Sequence, residues 1–257
     1  MRSAAGARHN RGMSDRDDER QALRERIQDF LQAVAAEAAV RRADPALDRR
    51  ALALKRYQQQ RFAHSYADLL ETPRYGPAAR FFLDELYGPK DFSQRDAQFA
   101  RVVPTLVRLF PEEVVLTVAQ LAELHALSEQ LDNAMARHLP GLEISAEDYR
   151  QAWQAAAAPP QREQQIRLLL AVGETLEGLT RKPLLRQALR MMRGPASAAG
   201  LGELQQFLET GFDTFKAMKG AHEFLQTIAM RERALAAELF ADRGAAASLT
   251  VPQATGA

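Results

Sequence analysis

Two histidine–acid pairs are the first residues whose types and spacing could do chemistry. His64 precedes Asp68 by four residues, and His125 precedes Glu129 by four. On a helix that spacing places both side chains on one face. An imidazole oriented by a carboxylate is the arrangement of a general base, and equally half of a metal site. The same pairs also arise freely on charged helices, where they only hydrogen-bond. A second group lies in a short aromatic stretch: Arg80, Asp84, Tyr87 and Asp91. Together with His64 and Tyr66 these residues form a candidate pocket. A third group is a basic stripe. Lys182, Arg186 and Arg190 are four apart, Arg193 follows three later, and no acid occurs from Gly178 to Gly202. The stripe is a candidate surface for an anionic partner, whether protein, nucleic acid or lipid surface, and a solvated helix face is the plainer meaning of the same pattern. Arg41, Arg42, Arg49, Arg50, Lys55 and Arg56 make a second basic cluster.

Several chemistries lack their residues. The chain has no cysteine, which excludes disulfides and thiolate metal sites. A helical di-iron site needs Glu-x-x-His, but the residues three before the histidines of the chain body are Arg61, Ala122, Met135 and Lys219. His-Glu-x-x-His, a Walker phosphate loop and a Gly-x-Ser-x-Gly elbow are missing too. No catalytic residue, metal or cofactor is assigned, and whether the chain is an enzyme stays open.

The elements that must position these groups are helices. Of the 257 residues, 46% are apolar; alanine, leucine, glutamate, glutamine and arginine dominate. Lys and Arg number 34 against 33 Asp and Glu, so the chain is not saturated with phosphate-seeking charge. Nucleic acid is therefore a minor expectation, left in play by the basic helix faces. No apolar run approaches the ~20 residues that span a bilayer, and no hydrophobic signal core opens the chain, so the expected location is the cytoplasm.

The densest aromatic cluster lies between Arg74 and Pro111. Ala79, Phe82, Leu83 and Leu86 share a helical face, Arg80 and Asp84 can pair four apart, and Gly88-Pro89 stops the helix. Ser93 with Asp96 reads as a capping box for the next helix. Phe81-Phe82-Leu83-Asp84-Glu85-Leu86-Tyr87 differs from FFLEELY only at Asp84. With the Gly-Pro-Lys-Asp-Phe-Ser-Gln-Arg-Asp that follows, the stretch resembles the bacterial FFLEELY motif proteins. That resemblance implies a bacterial, helical protein and carries over no activity and no site residue.

Along the rest of the chain, residues 1–13 read as a disordered tail, with Met13 a candidate start and Ser14 a helix cap. Asp44-Pro45 starts a second helix, which runs to Thr72-Pro73. Pro104 should kink or split the helix holding Phe99 to Phe110. Pro111 opens the longest helix, with Val114, Val118, Leu121, Leu124, Leu131, Met135 and Leu139 as its buried face. Ser145 and Asp148 form another capping box, and Pro159-Pro160 marks a sub-boundary near 158–161. Later helices are expected over 161–180, 183–193, 201–219 and 221–241, and residues 242–257 read as a second tail. Leu184, Leu185, Ala188, Leu189 and Met192 oppose the basic stripe. Gly173, Gly178, Gly211 and Gly220 lie in or beside helices and suit close helix contacts. The expectation is an all-α bundle of roughly nine or ten helices over 14–241, most simply a non-enzymatic binding or regulatory module. The rivals are a small-molecule binder or enzyme with a pocket at the FFLDELY stretch, and a nucleic-acid binder using the basic faces. The partner itself, protein or anion, is unknown at this level.

Overall fold

The computed structural model describes residues 4–85, 88–89 and 92–241, with side chains from Asp18 onward. All of its regular structure is helical: α1 (Ala4–Ala43), α2 (Pro45–Ser65), α3 (Ala67–Glu71), α4 (Gly76–Glu85), α5 (Ser93–Leu109), α6 (Glu112–His138), α7 (Ala146–Ala156), α8 (Pro159–Thr180), α9 (Pro183–Met191), α10 (Arg193–Ala198), α11 (Gly202–Ala217) and α12 (His222–Phe240). The all-α bundle is what the composition dictates, and ten of these segments have seven or more residues.

Local chemistry explains several boundaries. Asp44 Oδ1 accepts from the N–H groups of Ala46 and Leu47 at 3.0 and 3.1 Å, ahead of Pro45 in the first turn. Ser145 and Asp148 form the reciprocal capping box of α7. Other expectations are corrected. Ser14 is no cap, because α1 is already helical at Ala4 and runs straight through it. Ser93–Asp96 is not the cap of α5; Phe92 is the N-cap residue, and Asp96 faces His125 instead. Pro104 does not split α5, which continues to Leu109. One missing N–H is tolerated in a helix that buries Val103 and Val107 on α1 and α6. The helix expected to end at Thr72 breaks earlier, at Tyr66, whose fully buried ring and hydroxyl are fixed by α12. The Ser65 carbonyl freed there accepts from Arg231 at 2.6 Å.

Helix α6 is the axis of the molecule, packed against α1, α2, α5, α7 and α8. Three large apolar clusters surround it, with a fourth, small one of Leu47, Ala51 and Ala136 between α2 and α6. Ile27, Leu31, Val103, Val107, Val115, Ala119 and Ala122 join α1, α5 and α6. Leu54, Tyr57, Met135, Tyr149, Trp153 and Leu239 join α2, α6, α7 and α12. Phe62, Tyr66, Phe81, Phe82, Phe215, Phe224 and Leu225 join α2, α4, α11 and α12. Phe81 and Phe82 are thus both buried; Leu86 lies outside the described residues. Gly173 and Gly211 permit close contacts, since a Cβ there would meet Leu225 Cδ2 at 2.5 Å and Phe81 Cζ at 3.1 Å. Met1–Ser3 and the expected C-terminal tail, 242–257, lie outside the described residues.

Candidate functional site

The three clusters do not close on one another. Between them lies a cavity of about 200 Å³. Its floor is one face of α6: Val118, Leu121, Ala122, Leu124, His125, Ser128, Glu129 and Asp132 all line it. Their spacing repeats every three or four residues, and they span roughly 21 Å of helix axis. The first part of the stripe is apolar, and Phe99, Val102 and Leu106 of α5, Ile166 and Leu169 of α8, and Leu204 and Phe207 of α11 complete that end. From His125 onward the stripe is polar. Lys55 and Gln58 of α2, Trp153 of α7, Arg162 and Gln165 of α8 and Glu232 of α12 face it there.

The polar end is densely wired. Glu129 is only 6% exposed and binds two cations, Arg41 of α1 at 2.6 Å and Lys55 of α2. Burial alone would raise its pKa, but Lys55 and Arg41 together hold the carboxyl below the usual glutamate value. Asp132, one turn on, accepts a hydrogen bond from Gln58 Nε2 at 2.9 Å. It is half-buried and borders the cavity. Burial therefore dominates and pushes its carboxyl above the usual aspartate value, against the pull of Lys55. Arg162 lies 3.6 Å over the Trp153 ring and donates to Gln165 Oε1 at 3.1 Å. Trp153 Nε1 has no hydrogen-bond partner among the described residues. Glu232 accepts from the Tyr66 hydroxyl at 2.8 Å and pairs with Arg61 at 3.2 Å.

A second polar group flanks the apolar end. His125 Nε2 lies 3.0 Å from Asp96 Oδ2. Arg95 is held between the Phe92 and Phe207 rings, 4.0 and 4.4 Å from their centroids, and donates to Glu85 Oε2 at 3.3 Å. Burial pushes the Arg95 guanidinium below its usual pKa, although Asp96 and Glu85 oppose it.

Few of the residues singled out by spacing meet at this cavity. His64 is exposed, and Asp68 pairs with Arg231 at 2.7 Å rather than with His64. His125 and Glu129 both line the cavity, but they are partnered by Asp96 and by Lys55 and Arg41. Arg80 is exposed and donates to the Leu70 carbonyl at 3.1 Å, and Asp84 is exposed. Tyr66 stands behind the cavity, through Glu232. Tyr87 and Asp91 lie outside the described residues. Among the described residues of the FFLDELY stretch, Glu85 reaches the cavity wall. Asp132, Trp153, Arg162 and Gln165 escaped sequence reasoning. One signal could have found them. His125, Ser128, Glu129 and Asp132 form a polar stripe on a helix whose remaining faces are mostly apolar.

The basic stripe is largely neutralised. Lys182 pairs with Glu113 of α6, Arg186 with Asp213 of α11 at 2.8 Å, and Arg193 with Glu209 of α11. Beside Arg186, Arg190 and Arg193 there is a space of only about 10 Å³, room for one water. The opposing apolar residues divide. Leu185, Ala188 and Leu189 are half-buried, while Leu184 is 76% exposed and Met192 is also exposed, because α9 packs on α8, α10 and α11 from one side only. The second basic cluster also divides, sending Arg41 and Lys55 inward to Glu129. No group of three metal-ligating side chains converges among the described residues, and no described helix is long and apolar enough to cross a membrane.

The chain belongs to a protein family described as a domain of unknown function (DUF8198), whose model matches residues 37–246. Every residue lining the cavity except Leu31 falls within that span. No curated protein and no solved structure matches the chain.

Proposed function

We propose that the chain is a small-molecule-binding protein, and that its ligand is an elongated amphipathic molecule lying along α6. One observation carries the reading: the cavity stripe is apolar from Val118 to Ala122 and polar from His125 to Asp132. Protein cores normally close to the density of organic crystals. A concave space with an apolar end, convergent polar groups and carboxyls whose pKa values are pushed apart is the usual anatomy of a ligand site.

The test has two arms. Purified protein is extracted and the extract screened for a stoichiometric small molecule, and an apolar fluorescent probe is titrated into the delipidated chain. Leu121→Phe and Leu121→Trp, which fill the apolar end, should weaken probe binding in that order while circular dichroism stays helical. Equal binding by wild type and both folded variants would refute the proposal.

A catalytic use of the same cavity is the second reading, favoured by one observation. Glu129 and Asp132 are driven in opposite directions, the pattern of an acid–base pair. Recovery of the bound molecule unchanged after incubation favours binding alone. Nucleic acid has less support, since Lys182, Arg186 and Arg193 already have acidic partners. The proposal keeps the chain with the bacterial FFLEELY motif proteins and in the cytoplasm, where a small-molecule binding or regulatory role is open to it.

A further inference from the structure

Resting on the ligand-binding reading, we propose that the ligand enters between α5 and α11, and that the Arg95 side chain is the movable bar across that entrance. The cavity lining is graded in exposure. At the polar end Gln58, Glu129, Trp153 and Arg162 are all buried. At the side formed by α4, α5 and α11, the lining residues Glu85, Phe92, Asp96 and Phe207 are only half-buried. Leu208 of α11 lines the cavity and is also 37% exposed, so it marks where the cavity meets the surface.

The frame of the entrance is pinned. Gln98 Oε1 of α5 accepts from the Leu204 N–H of α11 at 3.0 Å, and Arg101 of α5 donates to the Ala199 carbonyl at 2.9 Å. The Phe207 ring is backed by that of Phe81, 5.4 Å away. One turn before Gln98 the crossing is bridged by a side chain instead. The Arg95 guanidinium fills the gap between the Phe92 and Phe207 rings. Its bonds to the Glu85 carbonyl and carboxylate are long, 3.4 and 3.3 Å. Burial disfavours the charge of Arg95, so swinging the side chain outward regains hydration as the stacking is lost. Asp96 and Glu85 attract the cation and favour the closed position. These opposed contributions give the side chain two accessible positions, as a gate requires. A bar of this kind raises one barrier that the ligand crosses in both directions. It slows entry and exit alike and leaves the affinity unchanged.

The test is stopped-flow fluorescence of the full, delipidated chain with N-phenyl-1-naphthylamine, an uncharged apolar probe. Arg95→Ala is expected to raise the association and dissociation rate constants together, each by roughly fivefold or more, with Kd held within about twofold. Arg95→Lys keeps the charge and loses the planar stack, so it should accelerate both rates as well. It also supplies the comparison if Arg95→Ala folds poorly. Rate constants unchanged in the folded variants overturn the gate and leave the cavity reading standing. So does a weaker Kd arising from faster dissociation alone, which would make Arg95 part of the surface that holds the ligand. Failure of folded wild type to bind the probe defeats the cavity reading and this inference with it.

Discussion

Glu129 and Asp132 lie one turn apart on α6, at the same end of one cavity, and their surroundings push their pKa values in opposite directions. Two cations from different helices hold Glu129 charged. Asp132, with only an amide donor, is dominated by burial. Each carboxyl leaves its own mark on stability.

Asp132→Asn should raise the thermal midpoint at neutral pH. The folded-state pKa of Asp132 is raised, so between the ordinary value of 3.8 and that raised value the folded chain binds more protons than the unfolded one. Stability therefore falls as pH rises through that window, and the penalty persists above it. Asparagine removes the titration and keeps a hydrogen-bonding partner for Gln58. The gain should vanish below about pH 4, where both forms are neutral. Thermal melts of both proteins across pH check this; an equal or lower midpoint for Asp132→Asn at pH 7 contradicts it.

Glu129→Ala should destabilise by up to about 3 kcal/mol, because half-buried Arg41 and Lys55 both lose their carboxylate and Arg41 keeps only Asn133. The sign is opposite to that of Asp132. The folded pKa of Glu129 is lowered, so its contribution is present above the ordinary value of 4.5 and is lost as pH falls through the folded one. Urea titrations at pH 7 and pH 4 should show a larger wild-type advantage at pH 7.

Phe82→Ala should cost about 3–5 kcal/mol, since the ring is 3% exposed and lies 5.6 Å from that of Phe224. Gly173→Ala is the subtler probe. Helix propensity alone would favour alanine by about 1 kcal/mol. The new Cβ would instead meet Leu225 Cδ2 at 2.5 Å, so overpacking by about 1–3 kcal/mol should win or cancel the gain. A clear rise in stability would show that Leu225 can move aside.

Reversing Arg186 and Arg190 to glutamate should leave the fold and the thermal midpoint nearly unchanged. The Arg186–Asp213 pair is substantially exposed, and exposed pairs contribute little. A salt-dependent gel shift with mixed-sequence DNA should show no tight complex for wild type, because the stripe's charge is matched by Glu113, Asp213 and Glu209. A wild-type complex abolished by the reversal would restore the basic stripe as an interface.

What was legible in the chain was local. Composition and periodicity determine an all-α protein, and Asp44 and Ser145 announce their caps because a cap and its N–H groups lie within three residues. Gly173 and Gly211 sit in helix interiors and suggest close contacts, although only the packing names Leu225 and Phe81. Side-chain partners were misjudged wherever a local pattern competed with a distant one. Asp96 has the spacing of a capping acid after Ser93, yet it meets His125, 29 residues on. His125–Glu129 has the spacing of a pair, yet Glu129 turns to Lys55, 74 residues earlier. Which of several equivalent acids meets a given base depends on how the helices cross and on their relative register. The volume left where the three apolar clusters fail to close is decided the same way. Both are properties of the assembled bundle, set by the sum of many weak contacts, and no window of one helix contains them.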